Sequence, residues 1–295
     1  MHKKEESHLP MNRNIIAHII LFPYLLLCLS VIAKAQSSTE LPTQRVLLEA
    51  KLSENGPIIR DGLEWRVFPF NAQSPDAIEE LAYATGGSKA FNMTPGEYIV
   101  HAAYGHVGVV KKISIGSEAT REEINLNAGG LKLIASATGQ VSIPKRMLKF
   151  NVYEQAIREN GSRKLIARDI KADEVTTLPV GTYHVISTFG KLNATVRADL
   201  RVQPGLLTEA NLEHRAAIIS FRLVRSSGGD AVADTAWSIL TDGGEVIKES
   251  DSPFPTMVLS EGSYTAIAKN DDKIYSEDFK VRSGFNKDVE VLTPN

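Results

Sequence analysis

The sequence predicts an all-β chain of three tandem antiparallel β-sandwich repeats, each of about 85 residues, set behind a signal peptide. Three observations predict it. The phrase Leu/Met-x-x-Gly-x-Tyr occurs three times, as "MTPGEY" (93–98), "LPVGTY" (178–183) and "LSEGSY" (259–264). The residues after each copy alternate between apolar and polar. Clusters of Gly, Asn, Asp, Ser and Pro punctuate the chain at short intervals.

The repeats emerge when the chain is slid against itself by about 85 residues. "GLEWRVF" (62–68) falls on "MLKFNVY" (147–153) and then on "DTAWSIL" (234–240), so Trp65, Phe150 and Trp237 share one place. Tyr98 lies 33 residues after Trp65 and Tyr183 lies 33 after Phe150, whereas Tyr264 follows Trp237 by 27, which implies a shorter loop. Seven residues after the first two tyrosines stand Gly105 and Gly190; Asp271 takes that place in the third copy. Each copy closes on a strand, a glycine and a last strand, as in "ADLRVQPGLLTEANLE" (198–213). The expected boundaries are residues 36–128, 129–214 and 215–295.

Within a copy, "VLLEAKL", "KLIASA" and "AIISFRLV" read as opening strands, and Tyr98, Val100, Ala102 and Tyr104 share one parity, as do Tyr183, Val185, Ser187 and Phe189. "SPDAIEELAYA" (74–84) has a helical cast with Ser74 as a cap, but its counterparts "GSRKLIARD" (161–169) and "GEVIKES" (244–250) read as strands, and a strand is expected there too. About seven strands at roughly 8–12-residue spacing match an immunoglobulin-like or prealbumin-like sandwich.

The Gly-x-Tyr is expected to be scaffold. Gly96, Gly181 and Gly262 would supply a backbone shape that a Cβ resists, turning the chain into a new strand. Tyr98, Tyr183 and Tyr264 would enter the core ring-first with the hydroxyl reaching back to the backbone, as in a tyrosine corner. With Trp65, Phe150 and Trp237 they make up the structural residues of the repeat.

"LPVGTYHVISTFGKLNATVRADLRVQPG" resembles the repeated sandwich modules of carboxypeptidase regulatory-like, Cna-B-type and transthyretin-like domains, which carry a similar Leu-x-x-Gly-x-Tyr-x-Val strand. The three-copy arrangement is similar to exported proteins of alphaproteobacteria. The resemblance spans residues 41–293 and implies a sandwich, an envelope location and a spacer or binding role without catalytic residues.

Export has its own signal. A basic start, an apolar run from Ile15 to Ile32 and Ala33-Lys34-Ala35 fit a cleavable secretory signal peptide, leaving Gln36 as the first mature residue. Met11 is an alternative start, and an uncleaved membrane anchor is the rival reading. Leu27 before Cys28 argues against a lipoprotein, and Cys28 is the only cysteine, so the mature chain has neither disulfide nor thiolate metal site. Cleavage removes four of 33 basic and two of 35 acidic residues, leaving 29 and 33 and a net charge of −4. Nothing in that balance suggests a nucleic acid or an anionic membrane surface as partner.

No catalytic or cofactor motif is expected. His101 and His184 fall on the outward parity, His106 falls in a turn, and none joins a metal-binding spacing with His214. "SSGGD" (226–230) and "TDGGE" (241–245) lack the Lys-Ser/Thr of a phosphate loop and read as turns, as does Asp271-Asp272. The function expected is a non-catalytic spacer or adhesion-like array that contacts an envelope protein or glycan; a membrane is a partner only if the leader stays uncleaved. The alternative is a carbohydrate- or peptidoglycan-binding protein, for which Phe68, Phe70, Phe254 and Tyr275 are the candidate exposed aromatics.

Overall fold

Alternating side chains dictate strands with one buried face, and such strands must find a second layer to cover that face. The computed structural model describes residues 42–70 and 79–293. The expected signal peptide with its cleavage site, and residues 74–78, lie outside them. The first repeat comprises β1 (Gln44–Lys51), β2 (Leu63–Pro69), β3 (Ala82–Gly86), β4 (Lys89–Met93), β5 (Gly96–Tyr104), β6 (Val107–Ile115) and β7 (Thr120–Asn125). In the second are β8 (Ala128–Ala137), a two-residue β9 (Val141–Ser142), β10 (Leu148–Ile157), β11 (Arg163–Ile170), β12 (Val175–Pro179), β13 (Gly181–Phe189), β14 (Thr195–Val202) and β15 (Leu207–His214). The third holds β16 (Ala216–Val224), β17 (Ala236–Thr241), β18 (Val246–Ser250), β19 (Thr256–Ser260), β20 (Gly262–Asn270), β21 (Lys273–Val281) and β22 (Lys287–Leu292).

Each repeat is a sandwich of a four-stranded and a three-stranded sheet. In the first, the orders are β3-β2-β5-β6 and β4-β1-β7, and the other two repeats follow the same plan. Of the stretch 74–84, where a strand is expected, residues 82–84 fall in β3 and residues 79–81 precede it outside any strand, whereas the counterparts are the strands β11 and β18.

One pairing per repeat departs from the antiparallel expectation. The first and last strands, β1 with β7, β8 with β15 and β16 with β22, run parallel. The reason is the direction in which the chain must leave. A last strand parallel to the first delivers the chain to the far end of the sandwich, where the next repeat begins. The connections are accordingly short: residues 126–127 join β7 to β8, and Arg215 alone joins β15 to β16.

Three separate cores follow. Trp65, Phe150 and Trp237 are each buried at the centre of one, beside Val67, Val152 and Ile239 at the equivalent place. The indoles keep their donors satisfied, Trp65 Nε1–H on the Gly87 carbonyl at 2.8 Å and Trp237 Nε1–H on that of Pro253 at 3.2 Å. Phe150 replaces tryptophan in the second repeat and needs no such partner. Ala216 and Val258 of the third repeat pack into the second core, so the sandwiches share side chains where they meet.

Candidate functional site

The tyrosine corners and the places where one repeat meets the next are the most constructed features among the described residues. All three tyrosines are buried. Tyr98, Tyr183 and Tyr264 each donate the hydroxyl proton to a carbonyl four residues back, those of Thr94, Pro179 and Ser260, at 2.8 Å in every case. The strand therefore begins with its ring folded over the turn it has just left. Burial raises the Tyr183 pKa, and the Glu154 carboxylate adds to the effect.

The glycines need a correction. Gly96, Gly181 and Gly262 do not take up positive φ. A Cβ at each would stand 3.5–3.7 Å from its nearest neighbour, the tyrosine ring two residues on, which is ordinary contact. The conformational demand sits instead on the glycines seven residues after the tyrosine. Gly105 and Gly190 have φ of 60° and 76°, and both lie at hairpin tips pressed against the next repeat. A Cβ on Gly105 would come within 3.1 Å of the Thr177 side chain, and one on Gly190 within 2.7 Å of Val258. Thr177 and Val258 are equivalent residues, each immediately before the buried leucine of the repeated phrase. One tip therefore docks on one site twice. The third tip, Asn270–Lys273, carries Asp271 and Asp272 at φ of 47° and 61°, the two-residue geometry of a tight hairpin.

The second junction adds a polar clamp. The hairpin loop between β13 and β14 runs from 190 to 194, longer than the two residues 105–106 between β5 and β6. Its Asn193 donates from Nδ2 to the Tyr264 hydroxyl at 3.0 Å, and its Oδ1 accepts the Ser260 backbone N–H at 3.0 Å. One side chain thus ties repeat 2 into the tyrosine corner of repeat 3. Elsewhere at this junction, the Thr138 N–H, in the turn between β8 and β9, donates to Ser283 Oγ in the β21–β22 connection, which donates to the His214 carbonyl. At the first junction the His106 N–H donates to the Thr177 carbonyl at 3.2 Å.

Two polar side chains are buried at the second junction. Ser187 Oγ and His214 Nε2 lie 2.8 Å apart, both fully buried, with Phe189 edge-on to the imidazole. His214 Nδ1 has no partner among the described residues, and burial lowers the pKa of the ring to about 4, so the imidazole is neutral at pH 7. A surface cavity of about 520 Å³ lies alongside, bordered by Asn193, Glu213, Arg215 and Glu261. An Arg215–Glu261 ion pair at 2.6 Å spans part of its rim.

The other histidines stand apart. His101 and His184 are half-buried on the outer sheet faces, His184 with Nδ1 2.7 Å from Asp199, and His106 is exposed in its turn. Among the described residues no group of three His, Cys, Asp or Glu is placed to hold a metal ion. "TDGGE" forms the β17–β18 hairpin turn, whereas "SSGGD" wraps a carboxylate: the Gly228 N–H and the Ser227 hydroxyl both donate to Glu290 and lower its pKa, with Arg222 contributing less. Phe70 and Phe254 are exposed, but Phe68 and Tyr275 are partly buried, and the four are divided between repeats 1 and 3. Asn193 and the Ser187–His214 pair were not among the residues expected to matter. The length of the second hairpin and the parity that His214 shares with Leu212 are the signals of them that the sequence carries.

No curated protein matches the chain. Among solved structures it is similar to the Bacillus anthracis TIE protein, at 14% identity and a TM-score of 0.24, over 85% of this chain and 50% of that one. It therefore spans half the length of that protein. It is also similar to GBS52, the minor pilin of Streptococcus agalactiae, at 13% identity and a TM-score of 0.32, over 58% of this chain and 95% of that one. A streptococcal ancillary pilin is similar at 12% identity and a TM-score of 0.32, over 85% and 99% of the two chains. Residues 218–293, nearly all of the third sandwich, match a family described as a Rhizobiales growth-associated tandem repeat domain.

Proposed function

We propose that the chain is a non-catalytic, exported envelope protein whose three sandwiches act as a stiff spacer or protein-interaction array. One observation carries this reading: successive repeats are joined by one or two residues and locked by an equivalent tip-on-strand contact, Gly105 on Thr177 and Gly190 on Val258. A flexible string of modules would need polar linkers long enough to let each unit reorient. Here the links are shorter than a turn, and the second is reinforced by the Asn193 clamp. The tandem-repeat family matched by residues 218–293 supports the same reading, as does the likeness of "LPVGTYHV" to carboxypeptidase regulatory-like, Cna-B-type and transthyretin-like modules. The partner is an envelope protein or glycan, and the route out of the cytoplasm is cleavage after Ala35. Fractionation and mass spectrometry of cells producing the chain test the location. A mature protein in the envelope fraction beginning at Gln36 supports it, and an intact cytoplasmic chain contradicts it.

A further inference from the structure

The whole chain carries a net charge of −2, yet repeat 2 concentrates cations around a surface cavity of about 540 Å³. Lys145, Arg146, Lys149 and Lys171 line it with a single acid, Asp169, above the buried Leu148. The short turn Lys145–Met147 brings the first two to the mouth, the start of β10 presents Lys149, and Lys171 follows the end of β11. Asp169 pairs with Lys149 at 3.1 Å, and neighbouring Asp173 pairs with Lys145, an ion pair that pulls the Asp173 pKa down. Among the described residues, Arg146 and Lys171 pair with no carboxylate. Four cations against these two acids leave the cavity with two uncompensated positive charges.

The other two repeats act as an internal control, because the scaffold is the same and only the side chains differ. Lys149 immediately precedes Phe150, as Glu64 precedes Trp65 and Ala236 precedes Trp237. Counting back further, Lys145 and Arg146 correspond to Arg60 and Asp61 in repeat 1 and to Val232 and Ala233 in repeat 3. Lys171 follows the strand partner of the aromatic, and Thr85 and Asp251 hold that place in the other copies. Four cations in repeat 2 thus stand where repeat 1 has one cation and two acids and repeat 3 has one acid. The sandwich itself does not call for this charge.

We propose that this cavity is an anion-binding site for a ligand bearing closely spaced phosphate groups. A single carboxylate leaves half of the excess charge unanswered, whereas a phosphomonoester, or two neighbouring phosphates of a chain, brings more than one negative charge and several acceptor oxygens. Arg146 offers those oxygens a planar fork of donors, and the lysines supply point charges around it. A cavity of this volume lies in the range of small-molecule sites, large enough for more than one such group. The same chemistry is presented by a soluble phosphate polymer and by the clustered phosphomonoester head groups of a phosphatidic acid surface.

The test uses the full chain with inorganic tripolyphosphate in calorimetry, and vesicles of phosphatidylcholine with and without phosphatidic acid in co-sedimentation. Binding is expected in at least one arm and weakens as salt rises. The double variant Arg146→Gln/Lys171→Gln, which breaks no ion pair of the fold, weakens it by roughly tenfold or more, while the charge-matched Lys248→Gln/Lys280→Gln in repeat 3 leaves it unchanged. Vesicle binding that tripolyphosphate displaces assigns the head-group source, and tripolyphosphate binding alone assigns the soluble one. No binding in either arm overturns the proposal. So does binding that survives the double variant, or that falls equally in the repeat 3 control.

Discussion

Replacing Tyr264 with phenylalanine isolates what the hydroxyl does at the second junction. The ring stays packed, stacked on Phe279 at 5.7 Å, and only the oxygen leaves. In Tyr183 that oxygen makes one hydrogen bond, to Pro179, so Tyr183→Phe should cost about 0.5–1.5 kcal/mol, the net worth of an ordinary hydrogen bond. In Tyr264 it donates to the Ser260 carbonyl, lies 3.0 Å from Ser260 Oγ and accepts from Asn193. Tyr264→Phe should therefore cost about 1.5–3 kcal/mol, since it also strands a partly buried amide of the neighbouring repeat. Asn193→Ala removes the same bond from the other side. Combining the two substitutions should thus cost less than their sum, by about 0.5–1.5 kcal/mol. Urea melts read this cycle in a Trp65→Phe background, which repeats what Phe150 already does in repeat 2 and leaves Trp237 as the one reporter of repeat 3. Costs that add to within about 0.3 kcal/mol would refute the clamp.

Other outcomes follow from the same geometry. Tyr183→Ala, which deletes a buried ring, should cost about 3–5 kcal/mol in hydrogen-exchange protection of repeat 2, and unchanged protection would place the ring outside the core. Gly181→Ala should be neutral or stabilising by up to about 1 kcal/mol, because its φ is not positive and a Cβ meets the Tyr183 ring in ordinary contact. Gly190→Ala should lower the melting point, through strain at φ of 76° and the clash with Val258. Acid should weaken repeat 2 through His214, whose folded pKa of about 4 lies below its unfolded value of 6.5. The stability due to the neutral ring is complete above pH 6.5 and is lost as pH falls towards 4, by about 3 kcal/mol in all at about 1.4 kcal/mol per pKa unit. His214→Gln should flatten that part of the pH profile, and an unaltered profile would show that the histidine is not its source.

Much of the fold was legible because it depends on local pattern. Period-two alternation marks which face of a strand is buried, and the aligned Trp65, Phe150 and Trp237 mark where each core lies. Strand direction was not legible: alternation in β7 is the same whether it runs with β1 or against it, and only the path of the chain decides. The glycine reading failed at Gly181 for a related reason, since the residue type permits positive φ without requiring it. Gly105 and Gly190 were visible as a repeated spacing, but their role depends on Thr177 and Val258, far away in sequence. The clamp was least legible of all, because Asn193 resembles any polar loop residue until the next repeat is set beside it. The cations of "KRMLK" were plain in the sequence, whereas their convergence with Lys171 needed the pairing of β10 with β11.

The central claim, that tip-on-strand contacts lock the three sandwiches into one stiff array, is tested most directly by backbone ¹⁵N relaxation of the chain from residue 36 onward. The account predicts that amides in β1–β7, β8–β15 and β16–β22 report one common tumbling of the whole array, and that Asn193→Ala with Gly190→Ala frees repeat 3 to tumble faster. Three independent, shorter correlation times in the unsubstituted chain, each matching a single sandwich, would contradict it.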